Sequence, residues 1–186
     1  MDKNTLKNRL SPKRMAVLAV FVALSYVVSF FEFPIFPAVP FLKLDFGNVF
    51  ILLISFLLGP VEGLTVCALK EGLRIFSSSS GGVGELANML VTASFILLPS
   101  IVYQFKKGLK TVCVCLVFSC LIATGTALVV NRYINFPLYM GSGAGAVFAD
   151  TFWFIFAFNI VKTFSISLLT VLLYKRLSNF LKKWKI

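Results

Sequence analysis

Long apolar runs, separated by short polar or proline-containing segments, follow one another along nearly the whole of this 186-residue chain. Apolar residues make up 59% of the sequence, whereas a soluble domain rarely exceeds about half. A helix needs roughly 20 apolar residues to cross a bilayer. We therefore predict one all-α membrane domain over residues 1–186, a bundle of six transmembrane helices. The predicted helices cover residues 15–31, 46–58, 61–76, 85–105, 111–131 and 151–181.

Basic residues are distributed unevenly between the two ends of these runs. Thirteen of the 18 lysines and arginines lie in the N-terminal segment, the turn between the fourth and fifth helices, and the C-terminal segment. The opposite loops contain only Lys43 and Arg132. Because loops rich in lysine and arginine stay in the cytoplasm, we predict a multi-pass cell-membrane protein with both termini cytoplasmic. Residues 1–14 then form a basic cytoplasmic tail, and the net charge of +11 reflects topology rather than nucleic-acid binding.

The sequence lacks the residue patterns that catalysis usually requires. It contains no histidine, which is the commonest general base and metal ligand. Its four cysteines (Cys67, Cys113, Cys115 and Cys120) lie in apolar runs without CxxC spacing, so we expect neither a metal site nor disulfides. No nucleotide-binding glycine loop and no nucleophile–base pair is visible. We therefore expect no enzymatic activity, no metal and no cofactor.

Lys162 is the one formal charge in the apolar run of residues 151–174. A lysine at the centre of a membrane helix costs roughly 2.5–3.5 kcal/mol, so it normally faces a partner or a wet cavity. Asn159 precedes it by three residues and leaves the helix on the same face. This segment alone leaves two interpretations open: a polar binding surface, or a buried strut in which Lys162 pairs with a carboxylate.

Other polar side chains are predicted at the same depth as this pair, in the outer half of the bundle. They come from the other helices and are Asp45, Lys70, Glu85, Asn88 and Asn131. Phe46 and Phe158 lie nearby and can cover a planar ring. A single polar cavity that opens outward accounts for all of these residues together. Amides and a lysine suit ligand binding better than catalysis.

Several of these residues also have ordinary structural explanations. Asp45 can cap the second helix, and Glu85 suits the positive end of the fourth helix. In the third helix Glu71 can reach Arg74 at a spacing of three residues. We expect that pair to satisfy its own charges.

Two further segments indicate contacts beyond the cavity. The loop of residues 32–43 contains three prolines and several aromatic residues, so it is neither a helix nor a freely solvated loop. We expect it to fold over the outer end of the bundle as a lid. In the first helix Ala19 and Ala23, with Ala16 nearby, form a pattern of small residues that lets another helix approach closely.

The chain resembles the substrate-binding S components of energy-coupling factor (ECF) vitamin transporters, most closely those specific for riboflavin. The resemblance covers nearly the whole chain and includes six predicted spans and the AxxxA of the first helix. ELAN at residues 85–88 and FNIVK at residues 158–162 are its more specific motifs. It also rests on KLDFGN at residues 43–48, GPVEG at residues 59–63, Lys70 and Asn131.

This resemblance implies that riboflavin is the transported ligand and is captured from outside. It implies that Asn88, Asn131, Asn159 and Lys162 hold the isoalloxazine edge and the ribityl hydroxyls. Asp45 and Glu85 are then expected to assist nearby, and the first loop to cover the ligand.

The resemblance also implies partner proteins. They are a transmembrane T component, which Ala19 and Ala23 are expected to contact, and two cytoplasmic ATPases.

Three alternatives remain at this point. An S component for thiamine, pantothenate or folate is the nearest, although cationic thiamine suits carboxylates and aromatic cages better than the lysine at position 162. An intramembrane enzyme using Lys162 or Ser165 lacks a visible base. A purely structural subunit would use the polar residues as struts between helices.

Overall fold

The computed structural model describes residues 11–78 and 80–183. Its helices are α1 (Pro12–Ser29), α2 (Gly47–Leu57), α3 (Pro60–Ile75), α4 (Val83–Phe105), α5 (Leu109–Val130), α6 (Phe136–Met140) and α7 (Ala144–Lys183). A π-helix covers Asn131–Asn135 and a 3-10 turn covers Gly141–Gly143. Strands β1 (Phe33–Pro34) and β2 (Lys43–Leu44) form an antiparallel hairpin. Of the predicted tail at residues 1–14, residues 1–10 lie outside the described residues.

Local sequence explains where several helices begin. Ser11 caps α1, because its hydroxyl accepts a hydrogen bond from the backbone N–H of Arg14 at 3.4 Å, and Pro12 occupies the first turn. Gly59 separates α2 from α3 with a φ of 131°, a conformation that a residue with a side chain rarely adopts. These signals make the α2–α3 turn tight, so the two helices pack side by side.

The segment of residues 133–150, which lies between the predicted helices 111–131 and 151–181, is largely helical. The chain continues from α5 through the π-helix into α6, and α7 begins at Ala144 rather than at residue 151. Gly141, with a φ of 56°, ends α6. The glycine- and alanine-rich string of residues 141–146 forms the 3-10 turn and the start of α7, and glycine is common within membrane helices.

Helix α2 is the centre of the bundle. Nine of its 11 residues are buried, and Ile51, Leu52 and Ile54 are fully buried. Helix α1 packs on it through Gly47, where a Cβ atom would approach the carbonyl oxygen of Ser25 to 2.3 Å. Glycine is therefore required at this crossing, which brings the end of α1 next to the start of α2.

The loop between α1 and α2 folds over one end of the bundle, as expected. Val39 in this loop is only 1% exposed, and it packs in an apolar cluster with Leu44, Phe136 and Phe158. We call this end, which holds the first residues of α2 and α4, the site end. The opposite end holds the lysines between α4 and α5, and we call it the basic end.

Three helical stretches of the described chain are long and apolar enough to cross a membrane: Pro12–Ser29, Val83–Phe105 and Leu109–Tyr174. The last stretch contains α5 and most of α7, which pack against each other, so the chain reverses direction between them. Helix α2 is a shorter apolar helix. The predicted fold class, an all-α membrane protein, is confirmed; the count of six crossings and the cytoplasmic termini stay predictions.

Candidate ligand-binding site

A cavity of about 660 Å³ lies at the site end. Its walls come from the loop before α2 and from α3, α4, α5, the π-helix, α6 and α7. Eight of the residues selected from sequence line it: Asp45, Lys70, Glu85, Asn88, Asn131, Phe158, Asn159 and Lys162. Phe46, the remaining one, does not belong to the lining. Its ring lies 6.1 Å from that of Phe33 and packs beneath the loop, so the proposal that Phe46 covers a ligand ring is not supported.

Lys70 lies at the centre of an ion-pair cluster beneath the cavity. Its ammonium donates to Asp45 Oδ2 and, at 2.7 Å, to Glu71 Oε1, and the residue is 0% exposed. Asp45 Oδ1 also accepts a hydrogen bond from the backbone N–H of Gly47 at 2.7 Å, so Asp45 caps α2 as well. Lys70 therefore fixes the carboxylates and has little of its own surface to offer a ligand.

Asp45 lies in the chain just before α2. Two opposing influences act on the pKa of its carboxyl group. Burial alone would raise the pKa, because it disfavours the charged form. The adjacent Lys70 ammonium outweighs this effect, so the pKa of Asp45 lies below its ordinary value. Asp45 is consequently a carboxylate at neutral pH and balances the buried charge of Lys70.

Asn88 connects this cluster to Lys162. Its Nδ2 donates to Glu71 Oε1 at 2.5 Å, and its Oδ1 accepts from Lys162 Nζ at 2.5 Å. Asn48 supports the same amide, donating to Asn88 Oδ1 at 3.4 Å. The three helices α3, α4 and α7 are thus joined by one hydrogen-bond chain.

Lys162 forms no ion pair with a described carboxylate, so the interpretation of Lys162 as a strut paired with a carboxylate does not hold.

The other two asparagines are buried and are only partly occupied by contacts within the chain. Asn131 and Asn159 each donate through Nδ2 to the carbonyl oxygen of the residue four positions earlier, both at 2.8 Å. The Oδ1 of Asn131 accepts from Asn135 Nδ2 at 3.1 Å. Among the described residues, none donates to Asn159 Oδ1. Because Asn159 lines the cavity, this oxygen is an available acceptor there.

Glu85 has a structural role at the start of α4. Its Oε2 accepts hydrogen bonds from the hydroxyls of Ser78 and Ser80, both at 2.7 Å. These contacts hold the segment between α3 and α4 against the cavity. The dipole interpretation of Glu85 is compatible with this position, at the first turn of the helix.

The charges at the end of α3 pair differently from the sequence prediction. Glu71 was expected to pair with Arg74, but Glu71 contacts Lys70 and Asn88 instead. Arg74 Nη2 pairs with Glu32 Oε2 at 2.8 Å, and Glu32 also pairs with Lys43 at 3.0 Å. Contact rules within one helix could not reveal Glu32 and Asn88 as partners, because Glu32 comes from the loop and Asn88 from α4.

Glu32, Glu71 and Arg74 line the cavity but were not selected from sequence as ligand-binding residues. One signal for Glu71 was present in the sequence, since it follows Lys70 directly in a predicted membrane helix. For Glu32 the sequence gave no signal that it would reach Arg74.

The described helices form an all-α membrane protein and converge on one polar cavity. This combination is typical of the membrane proteins that bind a solute within a helical bundle. The family can be stated as well: this chain belongs to the substrate-specific components of ECF transporters, whose family model matches residues 13–174. The family resemblance drawn from the sequence is confirmed.

Individual relatives agree with this assignment. The chain is 34% identical to the riboflavin transporter RibU of Staphylococcus aureus (strain TCH60) over 176 residues, which cover 92% of this chain and 93% of the relative. It is 28% identical to the riboflavin transporter FmnP of Bacillus subtilis (strain 168) over 68% of each chain. The solved structure of the S component of a bacterial ECF transporter matches with a TM-score of 0.80 at 35% identity, over 91% of this chain and 98% of that chain. These relatives are transporters rather than enzymes.

Proposed function

We propose that this chain binds riboflavin in the cavity at the site end and is the capture subunit of an ATP-driven ECF importer. The observation that carries the proposal is the arrangement of Asn88, Asn159 and Lys162 around one cavity. The Lys162 side chain and the amide N–H groups can donate hydrogen bonds to a ligand, and Asn159 Oδ1, which has no donor among the described residues, can accept one. The polar edge of an isoalloxazine ring carries carbonyl oxygens beside an N–H, so it needs both kinds of partner.

The size and the walls of the cavity support a flat vitamin. About 660 Å³ falls within the range of roughly 300–1,000 Å³ that is usual for small-molecule pockets. Phe158 supplies an aromatic face in the lining, and it is 4% exposed. Asn131 and Asn135 also line the cavity and contact each other, and their amides suit the hydroxyls of a ribityl chain.

The charge balance of the cavity supports a neutral ligand. Its described lining contains the acidic residues Glu32, Asp45, Glu71 and Glu85 and the basic residues Lys43, Lys70, Arg74 and Lys162. Counted by formal charge, these four acids and four bases sum to zero. Riboflavin is uncharged at neutral pH, whereas thiamine is a cation and pantothenate and folate are anions. The alternative of another vitamin is therefore less well supported.

We further propose that both termini are cytoplasmic, so that the basic end faces the cytoplasm and the cavity faces outward. Lys106, Lys107 and Lys110 in the turn before and within the start of α5 favour this orientation. Riboflavin is the transported ligand in this proposal, and no separate cofactor is involved.

Helix α1 is the proposed contact with the T component, which carries the two ATPases. Ala16, Ala19 and Ala23 are all exposed on its surface. Only Phe21, Ser25 and Ser29 of this helix are buried. A partner helix can approach closely over such small side chains.

The test is a spectrum of the purified protein. We expect the protein to retain yellow flavin, and the flavin-free form to quench the fluorescence of added riboflavin until one equivalent is bound. An excess of thiamine, pantothenate or folate should leave the quenching unchanged. A colourless protein that quenches no riboflavin fluorescence would remove the ligand assignment, and displacement by another vitamin would favour the alternative S component.

A further inference from the structure

A second cavity lies at the basic end, remote from the proposed riboflavin site. It has a volume of about 290 Å³ and lies between α2, α4, α5 and α7. Its walls are mainly apolar and come from Phe56, Leu109, Val112 and Val171. Its polar groups are different from those of the first cavity, because it contains no amide side chain and, among the described residues of its lining, no carboxylate.

Two tyrosines meet in the wall of this cavity. The hydroxyls of Tyr103 on α4 and Tyr174 on α7 form a hydrogen bond with each other. Each hydroxyl carries one hydrogen, and the bond between them uses only one of the two. Neither hydroxyl has another partner among the described residues. The pair therefore retains one O–H group that can donate to an oxygen of a bound molecule.

Positive charge surrounds the same cavity. Lys107 lines it, and Lys106 and Lys110 are exposed close to Lys107 in the sequence, at the turn into α5. Gly108 precedes α5 and offers no side-chain cap, so the first backbone N–H groups of that helix also point toward this turn. Donors and positive charge without a carboxylate suit an anion, and phosphate oxygens in particular.

We propose that this cavity binds an anionic phospholipid. The phosphate contacts Lys107 and the free hydroxyl of the tyrosine pair, and an acyl chain lies along Val112 and Val171. The apolar walls favour a lipid over free phosphate, because a free anion would leave them uncovered. Helices α4 and α5 are long and apolar enough to cross the bilayer, so their junction lies at the level of the headgroups. Anionic lipids are attracted to clusters of lysine at a membrane surface.

The test is native mass spectrometry of the full-length protein released from detergent, titrated with phosphatidylglycerol or with phosphatidylcholine of the same chains. We expect saturable binding of phosphatidylglycerol and much weaker binding of phosphatidylcholine. Lys107→Gln should weaken phosphatidylglycerol binding roughly tenfold or more, since a charged hydrogen bond is lost. Tyr174→Phe should weaken it severalfold.

Lys13→Gln is the matched control, because Lys13 is exposed on α1 and lies outside this cavity. It removes the same charge and should leave phosphatidylglycerol binding unchanged. Equal loss in the Lys13 and Lys107 variants, or equal binding of both lipids, would overturn the proposal. Displacement of the lipid by inorganic phosphate would also overturn it, in favour of a simple anion site. None of these outcomes bears on riboflavin, which is measured by its own fluorescence.

Discussion

The Oδ1 atom of Asn88 accepts a hydrogen bond from the Lys162 ammonium at 2.5 Å, across the interface between α4 and α7. Glu71 accepts a hydrogen bond from Nδ2 of the same amide, so the Asn88 amide cannot rotate without losing one of these two bonds. The position of the ammonium at the cavity is thereby set by a carboxylate on a third helix. This arrangement explains how the lysine side chain is oriented in an apolar bundle without an ion pair to a described carboxylate.

Removal of Lys162 or Asn159 should weaken riboflavin binding. Lys162→Ala and Asn159→Ala should each cost about 1–3 kcal/mol of binding free energy, because buried polar groups of the ligand lose their partners. Fluorescence quenching by the purified variants measures this directly. Val161→Ala is the control, since Val161 is an exposed neighbour on the same helix. Unchanged affinity in both cavity variants would move the binding site elsewhere.

Lys70 should matter for stability more than for contact with the ligand. Lys70→Met leaves two buried carboxylates, Asp45 and Glu71, without their cation, and should destabilise the fold by about 3–5 kcal/mol. Thermal unfolding in detergent measures the effect. The comparison is Lys43→Met, which breaks a partly exposed pair with Glu32 and should cost under about 1 kcal/mol. Equal stability losses would show that burial of the cluster is not what makes Lys70 important.

Most of the residues selected from the sequence line the cavity, and they could be selected because polar residues are rare in its apolar runs. Asn88, Asn159 and Lys162 could be assigned to one depth from their distances to the helix ends, and they do line one cavity. The partners of Glu71 could not be predicted, because the three-residue spacing to Arg74 competes with contacts that only the packing of α3 against α4 creates.

The helical course of residues 133–150 was also missed. In water, a string of glycine and alanine has the composition of a flexible linker. Within a membrane bundle, packing between neighbouring helices decides whether the same string is helical. Phe46 was misplaced for a similar reason: its position beside Asp45 in the chain says nothing about the direction of its ring.

The lid should be held closed by the pair between Glu32 and Arg74. Arg74→Gln should increase the dissociation rate of riboflavin about fivefold, because roughly 1 kcal/mol of tethering is lost, and should change the association rate little. Stopped-flow fluorescence separates the two rates. Arg132→Gln is the control, since it removes the same charge from an exposed arginine that lies outside the cavity lining.

A charge swap distinguishes tethering from direct contact with the ligand. Glu32→Arg combined with Arg74→Glu should restore the slow dissociation, whereas each single change should accelerate it. If the double variant releases riboflavin as fast as either single one, the pair does not act as a tether.

Bulky residues on the alanine face of α1 should separate binding from transport. Ala19→Trp with Ala23→Trp should leave riboflavin binding intact, because both positions are exposed and lie outside the cavity lining. Uptake should fall to background, because a partner helix can no longer approach closely. Uptake of labelled riboflavin by cells that contain the T component and both ATPases measures this.

Val117→Trp with Leu121→Trp places the same bulk on an exposed face of α5 and should preserve uptake. Persistent uptake in the α1 variant would mean that this face does not contact the T component, while loss in both variants would point to a general effect on membrane insertion.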